Sequence, residues 1–588
     1  MTTSLRRAAV AAVVFACGCA TAPQPVTKIV KGRVVVTRAV SPEAYEHVTR
    51  ALLLEQEERW KEAADELQRA LPFDPDAAEV RAHLAELFIR LGRLDDAAEQ
   101  ITRSLQIAAT VEGQLARAHL ADGYGDEAHR AQALAALREA TVLAFDDDDP
   151  EAVERTHLEL AEAQVTGLDL TAALDTARKL VSASPETVRG RVQLAMLAWP
   201  TGALDEAATA LAGAIEREPN DVEARLLLGE LHIATNKVAP AKAAFLAAID
   251  RAESPMEVGD AYAGWLVLRG DVAEARELVD RLVANAGNAD ALAAASALER
   301  TVKRPDKARA LAERAGKAGL AAGKVSLLIG AAAAAADDRA GAVAAYMAVG
   351  ARDASFFDSR LRAAEQLREQ AKYDEADRAL EAAARDVPDG RKVDLAIARS
   401  QLDEKRGDAA RAARRLDEAL GKDTDPAKAD VRLVLARAAV DERRGDWQRA
   451  IASAEQILAK KPRNLEALNF VGFVAADHSH DLPRALKRLQ AAVAMSPGSG
   501  AVIDSLGWAY FRAGDLARAD VFLEQAARLE PGDPEVLQHL GDLYARRQER
   551  DKALAAYRRA LGFKPGERVA REIGDRIRTL EAKSAAGR

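Results

Sequence analysis

Cysteine is almost missing from this chain. Of 588 residues only Cys17 and Cys19 are cysteines, and none follows residue 19. The body therefore has no disulfide framework and no cysteine-based zinc site. Aromatic residues are scarce, at 4%. Charge of one sign is missing too. The 83 basic and 92 acidic residues are interspersed and leave a net charge of −9. A mixed, solvated surface of this kind argues against a dedicated nucleic-acid binder. Catalytic signatures are also missing: there is no His-Glu-x-x-His, no Gly-x-Ser-x-Gly and no Gly-x-Gly-x-x-Gly. The expectation is a protein without enzymatic activity, catalytic residue, cofactor, metal site or small-molecule substrate.

Three stretches imitate chemistry. Gly319 to Lys324 looks like a phosphate loop but is one residue short and lacks Ser or Thr after the lysine. It reads as an inter-helix turn. Asp146 to Asp149 would need Gly at 151 and Glu at 157 to be a calcium loop, where Glu151 and His157 stand. It reads as an acidic turn capping the helix after Pro150. His478 and His480, flanked by Asp477 and Asp481, read as a surface loop.

What is present begins at the N-terminus. Arg6 and Arg7 precede the apolar run Ala8 to Ala16, which is too short to span a bilayer and reads as a secretory signal. A cysteine directly after small residues at its end resembles the bacterial lipobox, whose thiol is acylated. Cys19 is favoured as the acylated residue because it leaves a longer uncharged run after Arg7; Cys17 is the alternative. Two or three acyl chains anchor stably where one does not. No Asp follows either cysteine closely, which favours the outer membrane. Residues 20–40 carry Lys28, Lys31, Arg33 and Arg38 and no acid. They read as a flexible tether with an r.m.s. span of roughly 25 Å. KGRVVVTR has strand character but no evident partner.

From residue 41 one pattern recurs. An amphipathic helix ends near a Gly, a second helix carries a small residue where the two cross, and an acidic-Pro turn closes the unit. The small residue is Ala at 63, 97, 133, 173, 207, 241, 275, 308, 342, 376, 412, 450, 485, 519 and 553, and eight of the fourteen spacings are 34. Alanine lets antiparallel helix backbones approach closely. Gly92, Gly202, Gly270, Gly407, Gly445 and Gly514 lie five residues earlier, where a left-handed cap ends the first helix. Pro75, Pro185, Pro219, Pro388, Pro462, Pro531 and Pro565 lie twelve residues later and stop the second helix.

This pattern resembles the tetratricopeptide repeat family over residues 41–566. Ile503, Leu506, Gly507, Tyr510, Ala519, Leu523, Ala526 and Pro531 fill the signature positions of one unit. Leu537, Leu540, Gly541, Tyr544, Ala553, Tyr557, Ala560 and Pro565 fill those of the next. The resemblance implies an all-α solenoid superhelix of about fifteen repeats. We divide it into 41–150, 151–388 and 389–566, with a capping helix and tail at 567–588. A narrower resemblance covers Asn469 to Arg547, which is similar to the C-terminal block of proteobacterial outer-membrane repeat lipoproteins. Some of those act as adaptors for a periplasmic carboxyl-terminal processing protease.

In such a solenoid the first helices line the concave face. Signature positions 2, 5, 9 and 12 face the groove. Here they include Asn469 and Phe473, then Asp504, Trp508 and Phe511, then Gln538 and Asp542, with Arg512 and Arg546 flanking. In the fifth unit they include Met196 and Trp199. Trp and Arg are common binding hot spots, although Trp508 packed against a neighbouring repeat is the equal alternative. The expected function is a lipid-anchored scaffold that faces the periplasm and binds envelope proteins. Rival readings are an assembly lipoprotein for a pilus or secretion channel, a protease adaptor, a structural spacer and a processing enzyme.

Overall fold

Residues 25–30, 33–38, 41–124, 126–146, 149–385, 387–388, 390–421 and 429–586 are described by a computed structural model. The signal segment, Cys17 and Cys19 lie outside the described residues. The chain divides into two compact units, residues 1–156 and 157–588. The division lies six residues beyond the expected boundary at 150.

In the first unit, β1 (Pro25–Val30) pairs antiparallel with β2 (Arg33–Arg38). This corrects the expectation of a flexible tether. The strand expected to lack a partner pairs with the segment just before it, because β-branched residues recur in both. Helix pairs follow, the first being Pro42–Gln56 with Trp60–Ala70. Leu67, Leu84 and Phe88 are central to their core.

Among the described residues fifteen helix pairs run from residue 42 to residue 562, numbered here as repeats 1 to 15, and a last helix, Glu567–Ala586, follows them. Every crossing alanine lies on the second helix of its pair. Fourteen of them are fully buried, and Ala133 is 6% exposed. The signature glycines serve the same close approach: a Cβ on Gly507 would lie 2.9 Å from the backbone nitrogen of Leu523. All six glycines expected to cap first helices have positive φ, from 73° at Gly92 to 107° at Gly270. The same turn recurs where the sequence offers no glycine. Glu58, Leu168, Asn236, Lys303, Asp337, Ala371 and Gln548 also adopt φ between 57° and 64°. Side chains of Asp221, Asn464 and Asp533 accept backbone N–H groups at the starts of first helices.

The lookalike stretches have structural roles. Gly319 lies in the turn between helices Pro305–Lys317 and Ala322–Ala335. Asp149 accepts the N–H groups of Glu151 and Ala152 at the head of the next helix. His478 stacks on Trp447 at 4.9 Å.

Core distribution in the second unit is uneven. Repeats 4 to 8 and 12 to 15 contribute to a single apolar cluster. Repeats 9 to 11 carry small separate clusters, around Tyr346, around Leu380 and around Leu416. Residues far apart in sequence thus share a core, to which the repeats between them add no buried residue.

Candidate partner-binding surface

The first helices of repeats 13, 14 and 15 are Leu465–Asp477, Gly500–Arg512 and Pro534–Arg546. Their expected groove residues meet in one cluster. Trp508 is 7% exposed, stacks on His539 at 4.2 Å and on Phe511 at 4.9 Å, and donates its indole N–H to Asp477 at 3.0 Å. Arg512 also reaches Asp477, at 2.9 Å, and Ser479. Phe473 lies 6.1 Å from the His539 ring. Trp508 therefore packs between neighbouring repeats. Asp542 is occupied as well, accepting from Tyr557 Oη at 2.5 Å and from Arg576 Nε of the last helix at 2.6 Å. Arg546 is exposed.

His539, which the sequence reading missed, is buried and bonded through Nδ1 to Asp504 Oδ2 at 2.7 Å. Burial opposes charge on the ring. The Asp504 carboxylate, with Asp542 and Glu535, outweighs that and raises its pKa above the usual imidazole value. The other Asp504 oxygen, Oδ1, has no hydrogen-bond partner, and neither does Asn469 Oδ1 nor Gln538 Oε1. These three residues are each the fifth of their first helix. A register-matched row of buried, unpartnered acceptors thus runs through three consecutive repeats. Each such atom costs roughly 1–3 kcal/mol while it stays unpaired.

The expected groove of the central repeats is not open. Trp199, in a short 3-10 turn after helix Val188–Ala198, is 1% exposed, and its indole N–H donates to Gln525 Oε1 at 2.8 Å. Trp265 donates likewise to the Arg528 carbonyl at 2.8 Å. Arg528 returns a bond from Nη1 to the Ala234 carbonyl at 2.9 Å. Gln525 and Arg528 lie on Leu516–Leu529, the second helix of repeat 14, which packs against Val222–Ala234 of repeat 6. Repeat 13's second helix, Leu482–Met495, packs against the first helix of repeat 5. A later part of the solenoid is therefore seated on the groove face of an earlier part. Trp199 is a residue of this seam, not a free groove anchor.

Family profiles described as tetratricopeptide repeat match residues 54–120, 198–255 and 510–571, and residues 397–462 and 440–500. The chain is a tetratricopeptide repeat protein. Among solved structures it is similar to MamA 41-end from Desulfovibrio magneticus RS-1, at 25% identity over 30% of this chain and 96% of that one, with a TM-score of 0.24. It is similar to TTC0263, a thermophilic repeat protein of Thermus thermophilus, at 22% identity over 32% and 99%, with a TM-score of 0.29. Over more of its length it is similar to the Cut9–Hcn1 hetero-tetramer structure, at 15% identity over 86% and 91%, with a TM-score of 0.33. No curated protein matches the chain.

Along the seam the tetratricopeptide array leaves a cavity of about 460 Å³. Val165, Val192, Met196 and Met495 are among its apolar lining residues, and Arg189 and Glu223 among its charged ones. Met196 is thus half-buried in a pocket between repeats 5 and 13. Gln525, Trp265 and Arg528 escaped the sequence reading, although one signal was present. Phe522, Leu523, Ala526, Ala527 and Leu529 are many apolar residues for a helix with one buried face. Among the described residues no group of three or more His, Cys, Asp and Glu is placed to hold a metal, and no helix is long and apolar enough to cross a membrane.

Proposed function

We propose that this repeat protein is a non-enzymatic scaffold of the bacterial cell envelope. It is tethered by lipid at Cys19, or alternatively Cys17, in the outer membrane, and captures extended segments of other envelope proteins along repeats 13 to 15. The row Asn469, Asp504 and Gln538 carries this reading. A partner segment that brings N–H groups to these oxygens gains hydrogen bonds that the free protein lacks. The likeness of Asn469–Arg547 to repeat lipoproteins that serve a periplasmic processing protease supports an adaptor role of this kind.

Two experiments test it. Gln538→Leu removes one acceptor at similar volume. Crosslinking to envelope proteins from a photoreactive residue at Arg546 should fall, while the melting temperature holds or rises. Unchanged crosslinking rejects the row as the binding element. Cys19→Ser should release the protein to the soluble fraction. Retention that survives loss of both cysteines rejects the lipid anchor.

A further inference from the structure

Glu230 stands on the groove side of helix Val222–Ala234, one turn before Ala234, whose carbonyl takes the Arg528 bond. Its carboxylate lies over Gly498, in the turn between the helices Leu482–Met495 and Gly500–Arg512, and a Cβ on residue 498 would run into it. The carboxylate thus sits in the seam, at the point where repeats 13 and 14 meet repeat 6. Among the described residues it makes no hydrogen bond and no ion pair.

Most of the charged groups around it are committed elsewhere. Helix Leu204–Arg217 offers Glu206, bound to Arg178, and Arg217, bound to the Gly213 carbonyl and Glu186. Asp205 of that helix pairs with Lys237. Helix Val238–Ile249 offers Lys242, paired with Glu274. Helix Leu516–Leu529 offers Arg528, which pairs with Glu524, and Arg518 and Asp520, which pair with Asp515 and Arg547. On its own helix are Glu223, Arg225, bonded to the Pro219 carbonyl, and His232, whose pKa burial and Lys237 hold down. The seam turn 496–499 (Ser-Pro-Gly-Ser) has no titratable group, but Glu530 packs against Gly500 just beyond it, and burial raises its pKa as well. Closing the seam therefore desolvates a carboxyl and gives it nothing in return, and burial pushes its pKa up to about 7 from 4.5.

We propose that Glu230 is a proton-sensitive latch: protonated, it keeps repeats 13 and 14 seated on the groove of repeats 5 to 7, and ionised, it loosens them and exposes that groove. The latch goes beyond the scaffold reading, since the groove it exposes is that of repeats 5 to 7 and not the row on repeats 13 to 15, and the seam is tested without a partner. The sign follows from linkage. The closed state holds the proton more tightly than the open one, so closure is favoured at low pH and weakens as pH rises from 4.5 through 7. Between pH 5.5 and 8 the open-to-closed ratio should rise several-fold, up to a limit of about 25-fold where the seam supplies all of the burial.

Hydrogen exchange of the full-length protein, corrected for intrinsic rates, reads this directly. Amides in 222–234 and 516–529 should exchange several-fold, and at most about 25-fold, faster at pH 8 than at pH 5.5 in the wild type. Glu230→Gln should lose the Glu230-dependent part of that change, the contributions of His232, His539 and Glu530 being common to the two proteins. Glu230→Met, uncharged and of similar length, serves if the glutamine variant folds poorly. A wild-type ratio that does not change with pH, or that changes equally in both variants, overturns the latch. Neither result bears on whether repeats 13 to 15 capture a partner, which the Gln538→Leu crosslinking decides separately.

Discussion

Trp199 and Gln525 are 326 positions apart and joined by one hydrogen bond. Replacing Trp199 by Phe removes the donor, shrinks a buried ring and leaves Gln525 Oε1 without its partner. Replacing Gln525 by Leu removes the acceptor and orphans the indole N–H in the same buried place. Each single change should cost the seam roughly 1–3 kcal/mol, the desolvation cost of a stranded polar group. The double variant strands neither group, so its loss should fall short of the sum by roughly 0.5–3 kcal/mol. Long repeat arrays unfold piecewise, which makes a single unfolding free energy a poor gauge. Local exchange is the better assay. A seam weakened by about 2 kcal/mol exchanges roughly thirtyfold faster, since 1.4 kcal/mol is a factor of ten. The helices to watch are Val188–Ala198 and Leu516–Leu529. Strictly additive losses, or single variants that leave these helices as protected as before, would refute a closed seam.

Two further outcomes follow from the geometry. Ala371 is exposed and held at φ 57°. A left-handed residue costs roughly 1–2 kcal/mol, and glycine in exchange loses about 0.5–1 in chain entropy. Ala371→Gly should therefore stabilise repeat 10 by about 0.5–1 kcal/mol, read as slower hydrogen exchange of its two helices, and faster exchange would mean the turn is not left-handed. His539 has a raised pKa in the folded state. Its contribution is full below pH 6.5 and fades as pH climbs through the raised value. Repeats 14 and 15 should lose protection over that window in the wild type and not in His539→Asn; equal slopes would reject the Asp504–His539 pair as the cause.

The repeat architecture was legible because it is written in local rules. The alanine at each crossing, the glycine five before it and the proline twelve after it depend only on near neighbours, and all three features recur in the structure. The seven left-handed caps without glycine were not legible. There the neighbouring turns impose the geometry on whatever residue is present. The candidate surface divided in the same way. Helical register places Asn469, Asp504 and Gln538 at the same position of their helices, since the face of one helix is a local property. It misjudged Trp199, because residues 482–532 decide whether that face stays open, and no periodicity in 188–201 reports on them. The hairpin partner of β2 was missed although it lay next door, where Pro25 and basic residues suggested a linker.

The shared core of repeats 4 to 8 and 12 to 15 has a consequence for how this gene can vary. An open solenoid tolerates a gained or lost repeat, because each unit touches only its neighbours. Here the count is fixed between two points. Repeat 5 must meet repeat 13, and repeat 6 must meet repeat 14, so the segment from repeat 7 to repeat 12 behaves like a strap buckled at a set hole. One unit more or fewer would bring a different helix opposite Trp199. Duplication and deletion, the ordinary means by which repeat arrays diversify, are open to the two ends of this array and closed to its middle.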